Sequence, residues 1–328
     1  NQLARHSGWQ FNSLSTPKED KATGIVKFTS PISKSKEKFE PNLGSIEYEN
    51  GSQASLVISQ TSNAAQYDIS IKGKQNIPCF YIPSHRPIFR YKTLANIPTA
   101  KQNKQKAFDA VSNVNKQRYH GQEAISASFI MKNTLIGWAI KGYGVNNRGK
   151  VIMPADLEQI NNFEGFQAVL KKILPATLGF EELAIRNMEI VLVCNGGSDE
   201  FLLETASGGV SALIDIAWQI FMFSSTENRE FTVIIDEIEN HLHPTLQRLI
   251  LQSLVDAFPN AYFVVSTHSP LVVGSVKHSK VYVLRYNSHN KVESQELDLV
   301  GEAKTATEIL DEVLGVSFTM PVWVEQQL

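Results

Sequence analysis

Apolar and polar residues alternate in period two from about position 23 to position 91. Examples are Gly24-Ile-Val-Lys-Phe-Thr, Ser45-Ile-Glu-Tyr-Glu, Ala54-Ser-Leu-Val-Ile-Ser and Tyr67-Asp-Ile-Ser-Ile-Lys. A strand sends successive side chains to opposite faces, so this rhythm predicts half-buried strands and an antiparallel β subdomain over residues 1–91. Asn50-Gly51 between two runs predicts a two-residue type I′ hairpin, whose central positions both need positive φ. The pattern then changes. Residues 92–185 carry a polar and then amphipathic stretch, a turn-rich Gly142 to Pro154 and a helical period from Asp156 to Ile173, which together predict a helical insertion. Strand patterning returns in 186–328. Glu189 to Cys194 and Glu200 to Thr205 flank Asn195-Gly-Gly as a second hairpin, and a helix is predicted from Gly209 to Phe223. Phe231 to Ile235 is wholly apolar and β-branched, as strands buried on both faces of a parallel sheet are. After Pro244, Leu246, Leu249, Ile250, Leu254 and Phe258 recur at helical spacing, and Ala261 to Ser266 and Lys280 to Arg285 read as further strands. Strand, helix, strand in this order predicts an α/β fold around a mostly parallel sheet.

Composition narrows the classes. The chain has 328 residues, 42% of them hydrophobic and 9% aromatic, with 31 Lys plus Arg against 33 Asp plus Glu, which excludes a polycation and a disordered chain. No apolar run approaches the roughly 20 residues that span a bilayer, so no membrane partner is expected. Cys79 and Cys194 lie far apart with no CxxC spacing, which argues against disulfides and cysteine-bound zinc and for a reducing, cytoplasmic setting. Asn1 opens the chain with neither Met nor a signal core, so the chain is expected to start within a longer protein. Charge is uneven. Between Arg86 and Lys150 twelve cations face only Asp109 and Glu123. That excess reads as a solvated helical face, as a nucleic-acid surface with Lys101, Lys104 and Lys106 as its candidates, or as a surface for an acidic protein.

Three segments carry chemistry. Asp236 and Glu237 end the buried strand, where open α/β sheets bind ligands. Adjacent carboxylates there point in different directions, so one can hold a metal-bound water while the other faces an attacking water; two acids merely ending a strand is the plainer alternative. Thr205-Ala-Ser-Gly-Gly-Val210 leads into a helix, and Ser207, Gly208 and Gly209 would offer amides and a hydroxyl to a phosphate or form an ordinary cap. Ser266-Thr-His-Ser-Pro270 follows the next strand, with His268 either at the same phosphate or a structural histidine. His241 and His243 near Glu237 and Glu239 raise a metal-hydrolase reading, against which stand Pro244 and the lack of a third ligand at a recognisable spacing. Trp218 and Phe221 read as core.

Together, Phe231-Thr-Val-Ile-Ile-Asp-Glu-Ile-Glu-Asn-His-Leu-His-Pro244 and Ser266-Thr-His-Ser-Pro270 resemble the Walker B, D-loop and switch-histidine blocks of ABC-class ATPases. The closest branch is the AAA-type ATP-binding one shared by the overcoming-lysogenisation-defect nucleases and the Septu and retron-associated defence ATPases. The likeness is specific from about 186 to 286. It extends more weakly to Phe80-Tyr-Ile-Pro-Ser-His-Arg-Pro87, to Phe163–Leu183 and to Thr305–Val316.

The resemblance implies a P-loop NTPase-like domain that binds ATP and Mg²⁺. It implies that Ser207, Gly208 and Gly209 form the signature motif, although Ala206 and Val210 depart from the usual Leu-Ser-Gly-Gly-Gln. It implies Asp236 as the Mg²⁺-orienting acid, Glu237 as general base, His268 at the γ-phosphate, and Asn240 to His243 as a D-loop at a dimer interface. The phosphate loop of such proteins precedes the antiparallel sheet, so it is expected ahead of Asn1. The formal match Gly144-Val-Asn-Asn-Arg-Gly-Lys150 has Val151 in place of Ser or Thr and reads as a surface turn. A homodimer or higher oligomer closing on two ATP molecules is implied. So is a separate effector, nuclease or toxin, in prokaryotic defence, because about 40 residues after Tyr286 leave no room for a toprim nuclease. Two rivals remain: a non-hydrolysing, nucleotide-gated scaffold, and a protein whose main task is nucleic-acid binding.

Overall fold

The computed structural model describes residues 10–11, 18–19, 26–27, 42–59, 68–98, 100–119, 125–224, 229–277, 279–297 and 308–309. They fall into two compact units, 1–77 and 78–328.

In the first unit, β1 (Gln10–Phe11), β4 (Asn42–Glu47), β5 (Gln53–Ser59) and β6 (Asp68–Lys72) form an antiparallel sheet in the order β1-β4-β5-β6. β2 (Lys18–Glu19) and β3 (Val26–Lys27) pair separately. Ile46, Ala54 and Leu56 supply a small core, as alternation requires. The β4–β5 connection is not the expected type I′ turn. Only Gly51 has positive φ, +77°, and the hydrogen bonds Gly51 N to Tyr48 O and Tyr48 N to Ser52 O make a three-residue loop. Asn50 keeps ordinary φ because its Oδ1 accepts from the amide and hydroxyl of Ser52.

The second unit holds a three-stranded parallel sheet in the order β14-β13-β7, with β7 at Cys79–Ile82, β13 at Phe231–Ile235 and β14 at Ala261–Val265. The antiparallel region expected over 1–91 therefore has its antiparallel strands before Ile77, and β7 belongs to the core sheet. Ile235 stands opposite both Val265 and Ile82, so three strand ends arrive side by side. A second, antiparallel sheet contains β10 (Phe180–Arg186), β11 (Glu189–Cys194) and β12 (Asp199–Leu202). β8 (Val145–Asn147) and β9 (Lys150–Met153) form an exposed hairpin that contains the formal phosphate-loop match. β15 (Val281–Tyr286) pairs antiparallel with β16 (Val292–Leu297), apart from the parallel sheet.

Helices fill the space beside these sheets: α1 (Lys104–Tyr119), α2 (Ala127–Tyr143), α3 (Leu157–Ile173), α4 (Gly208–Phe223), α5 (Pro244–Gln247), α6 (Ile250–Ala257) and α7 (Pro270–Val273). Ser126 caps α2, Asp156 caps α3 and Ser207 caps α4, each accepting from an amide of the first turn. α4 is buried from Val210 to Met222. Trp218 lies 4.9 Å from Phe166 and 5.6 Å from Trp138 between ring centres, so the expected core aromatics are core. Burial of each such side chain contributes roughly 1.5–3 kcal/mol. The single helix expected after Pro244 is split in two at Arg248 and Leu249. None of the described helices is long and apolar enough to cross a membrane.

Candidate functional site

The site is built where β13 ends. Its last residue is fully buried and paired on both sides, so the chain leaves the sheet with Asp236 and Glu237 held at a fixed height. Asp236 N donates to Ile82 O at 3.0 Å. The Asp236 carboxylate accepts from Ser266 Oγ on one oxygen and from Tyr81 Oη, at 3.2 Å, on the other. Glu237 then turns into the left-handed region at φ +43°, at a cost of about 1–2 kcal/mol for a side chain with a Cβ. The two carboxylates have different partners, Ser266 and Tyr81 for Asp236, Asn240 and His268 for Glu237.

Glu237 is held from three sides. Its amide donates to Ser266 Oγ at 2.8 Å, Asn240 Nδ2 donates to its Oε2 at 2.7 Å, and His268 Nε2 lies 3.9 Å from its Oε1. His268 is 83% exposed and is aimed by its main chain, whose N–H donates to Glu239 Oε1 at 2.6 Å. Asp236, Glu237, Asn240 and His268 therefore come together from residues read as separate motifs. His243 instead caps α5, its Nδ1 accepting from the Thr245 amide, and His241 sits at φ +67°. Among the described residues no three His, Cys, Asp or Glu side chains gather as a metal-binding group, and none joins His241 and His243 in one.

One carboxylate beside the hydroxyls of Ser266 and Tyr81 suits Mg²⁺, which takes one or two protein carboxylates and leaves its other positions to water and phosphate. Asp236 is the residue that fits that role.

Ser207 caps α4 by accepting from Val210 N at 3.4 Å, and Ser211 Oγ ties back to Ala206 O at 3.1 Å. A Cβ at Gly208 would meet nothing within 4 Å, whereas one at Gly209 would meet Leu246 Cδ1 at 3.3 Å and His241 O at 3.4 Å. The Ser207-Gly208-Gly209 segment thus presents open backbone at Gly208 and packs on the loop after Glu237 at Gly209.

Just upstream lies a buried ionic cluster. Lys132 of α2 is wholly buried between Glu189, at 2.7 Å, and Glu204, and it also donates to Lys92 O. Burial alone would lower its amine, but hydrogen bonds to Glu189 and Glu204 outweigh this and raise it.

The basic stretch looks different in three dimensions than in sequence. Lys101 pairs with Asp156 at 2.7 Å and Glu158 at 2.8 Å. Lys104 lies 3.7 Å from the centre of the Phe221 ring, and burial pulls its amine down to about 8. Lys106 is exposed. Arg86, counted with these cations, is buried at the acid pair: Nη2 donates to Asp236 O at 3.1 Å and to Glu237 O at 3.4 Å. Arg86, Tyr81 and Ser266 are site residues that the motif reading left without a role. The only signal for the first two was the Phe80-Tyr-Ile-Pro-Ser-His-Arg-Pro87 block.

The profile of the family described as "AAA domain, putative AbiEii toxin, Type IV TA system" matches residues 33–274. The "Retron Vc95 probable ATPase" of Vibrio cholerae serotype O1 biovar El Tor is 33% identical over 106 residues, 30% of this chain and 20% of that protein. "Septu protein PtuA" of Bacillus mycoides (strain KBAB4) is 36% identical over 93 residues, 27% of this chain and 13% of that one. A PtuA of Bacillus thuringiensis is 25% identical over 167 residues, 47% of this chain and 42% of that one. The matched stretches thus span less than half the length of these relatives. Among solved structures, the SMC head domain from Thermotoga maritima aligns at 10% identity and a TM-score of 0.35, over 78% of this chain and 73% of that one.

Proposed function

The chain belongs to the AAA-domain family whose profile it matches, and on that premise we propose that it is the motif-bearing part of an ATPase that hydrolyses ATP with Mg²⁺ and controls a separate effector in prokaryotic anti-phage defence. The observation that carries the reading is the convergence of Asp236, Glu237, Asn240 and His268 at the carboxyl end of one buried parallel strand.

In this reading Glu237 takes the proton of the water that attacks the γ-phosphorus while the bond to the bridging oxygen breaks. Asn240, donating to Oε2, leaves Oε1 to face the water. His268, exposed beside Oε1, contacts the γ-phosphate. Asp236 would hold Mg²⁺, which supplies charge neutralisation on the phosphates. Ser207, Gly208 and Gly209 bind the γ-phosphate of a second subunit through the hydroxyl and open amides at the start of α4, so the active form is a dimer closed on two ATP molecules. In this reading that closed state restrains a separate nuclease or toxin, and the likeness to a retron probable ATPase and to Septu proteins supports the defence setting.

The test is ATP turnover by the full-length protein with Mg²⁺ beside Glu237→Gln. Turnover that falls by about 100-fold or more in the variant, with ATP still bound, is the expected result. A wild type that binds no ATP overturns the reading; one that binds ATP and never turns it over makes it a nucleotide-gated scaffold.

A further inference from the structure

We propose that Arg86 is a positioning residue for the acid pair, a buried guanidinium that fixes the main chain of Asp236 and Glu237 and, through it, the carboxylate that activates water. The inference rests on the reading of Glu237 as base.

Arg86 is 6% exposed, although it follows the exposed His85. Its guanidinium donates to three carbonyls: Pro83 O through Nη1, and Asp236 O and Glu237 O through Nη2. The last two belong to the consecutive peptides that carry the chain out of β13 and into the left-handed turn. Glu237 O also accepts from Asn240 N at 3.1 Å, so Arg86 adds a second donor there and one at Asp236 O. A rigid planar fork supplies several donors at fixed angles where an ammonium supplies a point charge.

The same short segment holds Glu237 a second time. Ser84 O accepts from Asn240 Nδ2 at 3.2 Å, and the same amide nitrogen donates to Glu237 Oε2. Residues 83–86 therefore fix the main chain of Glu237 through Arg86 and its carboxylate through Asn240. The contacts to Asp236 O and Glu237 O are to main-chain oxygens, so through them Arg86 acts on the backbone of the acid pair. A base displaced by a fraction of an ångström loses its line to the water while nucleotide binding elsewhere is untouched.

The experiment compares full-length wild type, Arg86→Lys and Arg86→Ala in ATP affinity, KM and kcat, each normalised to the folded fraction from the melting curve. Expected are ATP affinity and KM within about 2-fold of wild type, and kcat lowered roughly 10- to 100-fold in Arg86→Ala and less in Arg86→Lys. Millimolar guanidinium should restore part of the rate to Arg86→Ala and none to Glu237→Gln. If Arg86→Ala does not fold, Arg86→Lys carries the comparison. A kcat per folded molecule equal to wild type, with only the melting temperature lowered, overturns the positioning role. Wild type without turnover overturns the ATPase reading as well and is told apart by that control.

Discussion

The corner at Asp236 and Glu237 and the basic stretch from 86 to 150 both looked chemical in sequence, and the fold treats them in opposite ways. At the corner, strand register fixes direction, and side chains from three separate segments converge. In the basic stretch the charges share only a neighbourhood in the chain. Arg86 turns into the acid corner, Lys132 into a buried pair of glutamates, Lys104 onto Phe221, and Lys101 onto two acids beside the α3 cap. A charge count is a property of composition, whereas a site is a property of direction.

The comparison breaks first, and by the largest effect, at Lys132. Lys132→Met leaves Glu189 and Glu204 without their cation and should cost about 3–5 kcal/mol in urea unfolding. Adding Glu204→Gln should recover much of it. An unchanged midpoint for the single variant would mean that the cation is not an internal one. Ser266→Ala sharpens the other side. It removes the partner of the Glu237 amide and of the Asp236 carboxylate, and we expect about 1–3 kcal/mol of stability and roughly a tenfold loss of ATP turnover.

Weaker still, joint neutralisation of Lys101, Lys104 and Lys106 should change the salt slope of any nucleic-acid affinity by about one unit rather than three. A drop near three in the same titration would restore the nucleic-acid reading.

A pH dependence tests Lys104 alone. Lys104, held near 8 when folded against 10.5 in its unperturbed state, keeps its proton more readily in the unfolded chain. Stability relative to Lys104→Met should therefore rise from about pH 8 to 10.5 and be flat below that range, as paired thermal melts would show.

Sequence made one half of this contrast legible. β11 spans the residues its apolar pattern marks, β13 and β14 are parallel, and the residues after them meet as the two motif blocks suggest. These features depend on local rhythm and on side chains that only one backbone geometry can use. What stayed hidden depended on distant partners. The alternation of Cys79 to Ile82 is equally compatible with an antiparallel neighbour, and its true neighbour lies beyond the whole helical insertion. Arg86 and Lys132 read as surface cations because nothing adjacent to them announces a carbonyl corner or Glu204. The turn at Asn50-Gly51 was legible but not its type, because Asn50 binds Ser52 through its side chain instead of adopting positive φ.

The pairing of β7 with β13 also sets a timetable. Tyr81 and Asp236, which end as hydrogen-bond partners, are 155 positions apart. At synthesis rates of about 5–20 residues per second, β7 leaves the ribosome roughly 8–30 s before its neighbour exists. Through that interval its edge is an open template for other strands, while α1 to α3 have time to pack around their own aromatic residues. The core sheet is therefore a late event in the life of the chain, and conditions that slow translation between the two strands lengthen its exposure to aggregation.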